Sequence, residues 1–122
     1  FRLDAVKHIP KAFWHEYNAA IKALAGPGFL LLGEVFWGDA ARIAPYTTLG
    51  FDLLFDIPGY YAIRNTFNKG GSIRDLSEFY HRTDTLLGPD LRATLIDNHD
   101  VARFNVGLGA DAWSKQLLAL GW

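Results

Sequence analysis

The feature that most restricts the fold of this chain is an alternation: short apolar runs are each followed by a stretch whose apolar residues recur at helical spacing. FLLLGEVF, residues 29–36, is the clearest run. It has no polar alternation, the pattern of a strand covered on both faces as in parallel sheets. Before it, residues 1–6 read as extended, Pro10 suits a first helical turn, and Phe13, Trp14, Tyr17, Ile21 and Leu24 make a stripe that stops at Gly26-Pro27. After it, a polar loop with Gly38, Pro45 and Gly50 leads to FDLLFDI, residues 51–57, a third strand that Pro58-Gly59 is expected to end. Ser72 with Asp75 opens a helix whose stripe is Ile73, Leu76, Tyr80, Thr83 and Leu87, and Gly88-Pro89 breaks it. LRATLID, residues 91–97, reads as a fourth strand, and DAWSKQLLALGW begins a last helix cut short by the chain end.

Strands alternating with helices, and nothing antiparallel among them, predict an α/β fold with a parallel sheet. Periodicity leaves two architectures open, a closed barrel and an open doubly wound sheet. With no internal repeat, linker or low-complexity tract, the 122 residues read as one unit.

Composition removes several function classes. Twelve basic against thirteen acidic residues give a net charge of −1, which suggests no nucleic-acid partner. The absence of cysteine excludes disulfides, thiolate metal sites and a Cys nucleophile. No apolar run approaches the roughly 20 residues of a membrane span, so no membrane association is expected. There is no methionine and Phe1 comes first, which reads as a segment of a longer chain.

In either architecture the carboxyl ends of the strands face the active-site side. The candidates there are Asp4, Glu34, Asp56 and the cluster Asp97, Asn98, His99 and Asp100. A barrel of eight units uses roughly 31 residues per unit. Asp4 to Glu34 is 30 residues and Glu34 to Asp100 is 66, or one unit and about two. Two acids and a third would then project from the first, second and fourth strands at equivalent heights.

Arg2 and Asp4 are two apart on a strand, hence on one face, and the guanidinium favours the charged carboxylate that a nucleophile needs. Glu34 ends a strand of Phe and Leu and precedes Val35, Phe36 and Trp37, apolar surroundings that suit a general acid. An ionised carboxylate beside a protonated one is the arrangement of retaining glycoside hydrolysis. Phe36, Trp37, Tyr46 and Tyr60 would suit the apolar faces of sugar rings.

Plainer readings compete with these. Arg2 and Asp4 also fit a structural ion pair, and Asp56 beside Pro58 fits a turn. His15 and His81 fit helix surfaces, and Lys11, Glu16 and Lys22 a solvated helix face. His99 stands evenly between function and structure on spacing alone.

Three motifs then carry a resemblance. FRLDAVKH is similar to the fourth-strand motif of glycoside hydrolase family 13, the α-amylase family, GEVF to its fifth-strand motif and LIDNHD to its seventh-strand motif. The order and spacing agree, and the resemblance covers essentially the whole chain. It implies a (β/α)₈ TIM barrel, of which this chain is a fragment from the fourth strand to the seventh helix. By the same resemblance Asp4 matches the nucleophile, Glu34 the general acid and base, and Asp100 the third acid that holds sugar hydroxyls. Arg2 matches the arginine beside the nucleophile, and His99 the histidine that contacts the sugar. Lys7 and His8 match a pair on the leaving-group side, and the His8 carbonyl a ligand of a structural calcium whose other ligands mostly lie outside this segment.

The implied activity is retaining hydrolysis of α-1,4-glucans such as starch or maltodextrins, with a secreted or periplasmic location favoured over a cytoplasmic one. A glucan transferase and a non-catalytic barrel subunit are the alternatives within the fold. The family's remaining motif, an Asp four residues before an Asn-His pair, is absent. The rest of the barrel is therefore an expected partner of this segment, and the segment alone is expected to be inactive.

Overall fold

The computed structural model describes all 122 residues. Four short strands form one sheet: β1 (Arg2–Leu3), β2 (Leu32–Gly33), β3 (Leu53–Phe55) and β4 (Arg92–Ala93). They lie in the order β1-β2-β3-β4 and every neighbouring pair is parallel. This order decides between the two architectures. A doubly wound sheet reverses its strand order at a switch point, whereas a barrel adds each strand beside the last. The chain is thus part of a (β/α)₈-type barrel, with β1 and β4 as the edges of the sheet within these residues.

Helix α1 (Lys11–Ala25) follows β1, and α2 (Ala40–Ile43) follows β2. The first helix buries Trp14 and Asn18, while Phe13 and Leu24 of the predicted stripe are exposed. Trp14 joins Val6, Val35, Ile43, Phe51 and Leu54 in the larger core cluster, which lies behind the ends of β1 and β2. Gly33 is required by packing there: a Cβ would lie 2.8 Å from the Phe51 ring and 2.9 Å from Leu54. A smaller core joins Ile63, Phe67, Leu76, Phe104 and Ala119.

The sequence reading missed two helices, the short α2 within the stretch read as a polar loop and a longer one after β3. Pro58-Gly59 does not end a strand but opens α3 (Ile57–Lys69), which packs on α4 (Ile73–Leu87) and α5 (Ala112–Leu120). Asp56 caps α3 by accepting the Gly59 N–H at 2.9 Å, and proline is tolerated in a first turn because its missing N–H would be unpaired there anyway. A Cβ on Gly59 would stand 2.2 Å from the Asp56 carboxylate, so the cap needs glycine at that place. Asp56 therefore has the turn role expected of it, and a second one: its other oxygen, fully buried, takes Arg92 Nη1 at 3.1 Å. Arg92 Nη2 continues to Asp84 at 3.0 Å and Thr83 at 2.8 Å, tying β4 to α3 and α4. Tyr80 packs under the same guanidinium; burial, followed by the neighbouring Asp56 charge, pushes its hydroxyl far above its usual range.

Ser72 caps α4 as predicted, with its hydroxyl accepting the Arg74 N–H at 3.0 Å. Lys22 departs from its predicted place on a solvated helix face. Its ammonium bonds Asp52 at 2.7 Å, the Phe29 carbonyl at 2.6 Å and the Pro27 carbonyl at 3.2 Å, and so fastens α1 to the entries of β2 and β3. Burial pushes the Asp52 carboxyl up, but the Lys22 hydrogen bond, the Leu31 N–H and the ammonium charge together outweigh it and hold the group below its usual range. No helix is long and apolar enough to cross a membrane.

Candidate active site

At the carboxyl ends of β1 and β2 one guanidinium serves two acids. Arg2 Nη1 lies 2.9 Å from Asp4 Oδ1, and Nη2 lies 2.9 Å from Glu34 Oε1. The parallel register explains the reach, since Arg2 stands opposite Leu32, two residues before Glu34. The two carboxylates differ in exposure: the Asp4 side chain is 68% exposed and that of Glu34 is 7%. Glu34 also faces the Ala5 N–H at 3.4 Å through Oε2.

This corrects the predicted setting of Glu34. Of its apolar neighbours Val35 turns into the core, while the carboxylate itself meets a cation and an amide. The division into one acid beside a cation and one in apolar surroundings has no counterpart, because both acids face Arg2.

A 3₁₀ turn at Val6–His8 follows β1 and carries Lys7 and His8 over the same end of the sheet. Lys7 Nζ donates to the Phe36 carbonyl at 2.9 Å and lies 5.5 Å from the Trp37 ring, linking the loops after β1 and β2. After β4, His99 and Asp100 pair at 3.3 Å and are 71% and 42% exposed. Asn98 Oδ1 accepts the Asp100 N–H at 2.9 Å and fixes that turn. Asp97 faces the other way: it accepts the Phe104 N–H at 2.8 Å and Arg103 Nη1 at 2.9 Å. The Phe104 amide above all, with Arg103 and against partial burial, holds its carboxyl below the usual range.

These loops border an open cleft of about 390 Å³ lined by Asp4, Ala5, Lys7, His8, Glu34, Phe36, His99 and Asp100. Every residue singled out by motif faces it except Arg2, which bridges the two acids at its rim. Asp97 is set apart as a residue that braces the loop. Two of the four aromatics predicted to meet sugar rings do not: Tyr46 and Tyr60 are buried. Phe36 lines the cleft, and Trp37 packs under Arg42 at 4.7 Å. His15 and His81 are exposed on helices, as are Lys11 and Glu16.

The residues present do not compose a calcium site. No three His, Cys, Asp or Glu side chains converge on one point, and the single carbonyl of His8 is not a coordination shell.

No protein-family model matches the chain. It is 33% identical over 127 residues to a "Beta/alpha-amylase" of Paenibacillus polymyxa, covering 99% of this chain and 10% of that protein. An "Alpha-amylase" of Streptomyces lividans is 34% identical over 122 residues, covering 92% and 13%. Among solved structures, an α-amylase from Geobacillus thermoleovorans complexed with acarbose superposes with a TM-score of 0.85 and 34% identity over 98% of this chain and 28% of its own. An Anoxybacillus α-amylase gives 0.88 and 33% over 98% and 27%. The chain thus spans about a tenth of the length of these curated relatives and about a quarter of these solved ones.

The fold is that of a glycosidase barrel. Within that class the chain belongs with the α-amylases, glycoside hydrolase family 13, and matches part of their catalytic barrel.

Proposed function

We propose that the protein carrying these residues is a retaining hydrolase of α-1,4-glucans, with residues 1–122 as part of its single catalytic barrel domain. The observation that carries this is the shared guanidinium: Asp4 and Glu34 both lie 2.9 Å from Arg2 and open on one cleft with His99 and Asp100. Two carboxyls on one planar fork suit the short separation, about 5–5.5 Å, that retaining enzymes need.

In this reading Glu34 gives a proton to the glycosidic oxygen while Asp4 attacks the anomeric carbon and forms a glycosyl ester. Glu34 then takes a proton from water, which displaces Asp4 and releases the sugar. Asp100 and His99, exposed on the opposite lip, hold hydroxyls of the reacting ring. Lys7 and His8 line the side where the leaving portion departs. The relatives' names are those of hydrolases, and one solved neighbour holds acarbose, which supports an oligosaccharide substrate.

Residues 1–122 alone are proposed to be inactive. β1 and β4 are each paired on one side only, and α5 turns Trp113, Leu117, Leu118 and Leu120 outward. Exposed edges and apolar faces of this kind favour aggregation over turnover.

The test is Asp4→Asn in the complete gene product, with reducing sugar released from maltooligosaccharides as the readout. The expected loss is on the order of 10⁴-fold with the fold intact. Full activity in that variant would sink the reading, and so would inversion at the anomeric carbon.

A further inference from the structure

Ala5 is the only residue other than glycine with positive φ, at φ 50° and ψ 35°. That left-handed conformation is unfavourable for a residue with a Cβ and persists only where its surroundings over-determine it. Such residues gather at functional sites, and this one lies between Asp4 and the turn that carries Lys7 and His8.

Its surroundings show what holds it. The next residue, Val6, is fully buried; its N–H donates to the Glu34 carbonyl at 3.0 Å, and its carbonyl accepts Trp14 Nε1 at 2.9 Å. The His8 N–H closes the turn on the Ala5 carbonyl at 3.0 Å. With an extended Ala5 the chain would run on along the strand direction. The left-handed step instead turns the Val6 N–H back onto the Glu34 carbonyl, beside the Ala5 N–H on Glu34 Oε2, so that two consecutive amides converge on the end of β2. Lys7 and His8 are brought over the cleft in the same movement.

We infer that Ala5 is a positioning residue, whose left-handed backbone sets the relation of Asp4 to Glu34 and of both to Lys7 and His8. Alanine is the compromise: glycine would hold the conformation freely, whereas a β-branched residue would abandon it. The inference rests on the hydrolase reading given above.

The experiment compares three variants of the complete gene product on one maltooligosaccharide, with Tm recorded for each. Ala5→Gly retains the backbone and so retains kcat, with Tm not lowered. Ala5→Val drives the backbone out of the left-handed region, and kcat falls about 100-fold with KM within a few-fold of the parent. Ala5→Asn is bulkier than alanine but tolerates the left-handed region, so KM rises while kcat stays within tenfold.

Unchanged kcat in a folded Val variant overturns the inference, as does a Gly variant that loses kcat as Val does. Should the Val variant fail to fold, the Asn variant decides: retained kcat supports the backbone role, and a 100-fold loss overturns it. A parent without glucan hydrolysis ends the hydrolase reading itself, whereas a hydrolytic parent with the wrong order of variants ends this inference alone.

Discussion

On the β1–β2 side of the cleft Glu34 is nearly buried, Arg2 spans two strand ends, and Val6 anchors the next turn in the core, so that the exposed Asp4 carboxylate is held through Arg2. On the β4 side His99 and Asp100 stand exposed in a loop held by its own hydrogen bonds, chiefly those to Asp97 and Asn98. Under the proposed hydrolase reading the difference fits a division of labour. Groups that make and break bonds need sub-ångström placement, while groups that grip sugar hydroxyls can ride on a loop that admits substrate.

The largest expected effect strikes beneath the β4 side. Arg92→Leu leaves the buried Asp56 without its cation, and urea denaturation should show a loss of about 3–5 kcal/mol. If hydrogen exchange then rises equally at β1 and β2, the two sides are less separable than described. Arg2→Lys comes next, because a single ammonium cannot grip two carboxylates as a planar fork does. We expect kcat to fall about 100-fold with little change in Tm, as misplacement by an ångström can cost that much; an equal loss of Tm would recast Arg2 as a stabilising residue.

Lys22→Met removes the fastening of α1 to the entries of β2 and β3 and should cost about 1–3 kcal/mol, since Asp52 and two carbonyls lose their donor. The smallest effect is that of Asp97→Asn, about 1 kcal/mol, together with a rise in KM larger than the fall in kcat. Its pH dependence has a definite sign. The folded Asp97 carboxyl lies below the ordinary aspartate value of 3.8, so its contribution is complete above that pH and disappears as pH falls toward the lower folded value. The stability gap between parent and Asp97→Asn should therefore close in acid; a constant gap from pH 7 to pH 2 would contradict the assignment.

Much of the candidate site was legible because its residues sit where strands end, and strand ends follow from apolar runs. Asp4, Glu34, His99 and Asp100 were found that way, and Asp56 was rightly placed in a turn. What escaped depends on partners distant in sequence. Lys22 looks like any helical lysine until Asp52 and two carbonyls are brought beside it. Tyr46 and Tyr60 look like sugar platforms until the helices bury them. Helix α3 was lost because Pro-Gly reads equally as a stop and as a first turn, and only the Asp56 cap separates the two. The backbone of Ala5 left no mark in the sequence, since an alanine discloses nothing about φ.

The shared guanidinium has a consequence for how mutant kinetics add. Arg2 divides its charge between Asp4 and Glu34, so neutralising either acid leaves the whole cation to the other. Losses measured singly in Asp4→Asn and Glu34→Gln would each contain part of the other's effect. A double-mutant cycle closed through Arg2 is what would apportion them.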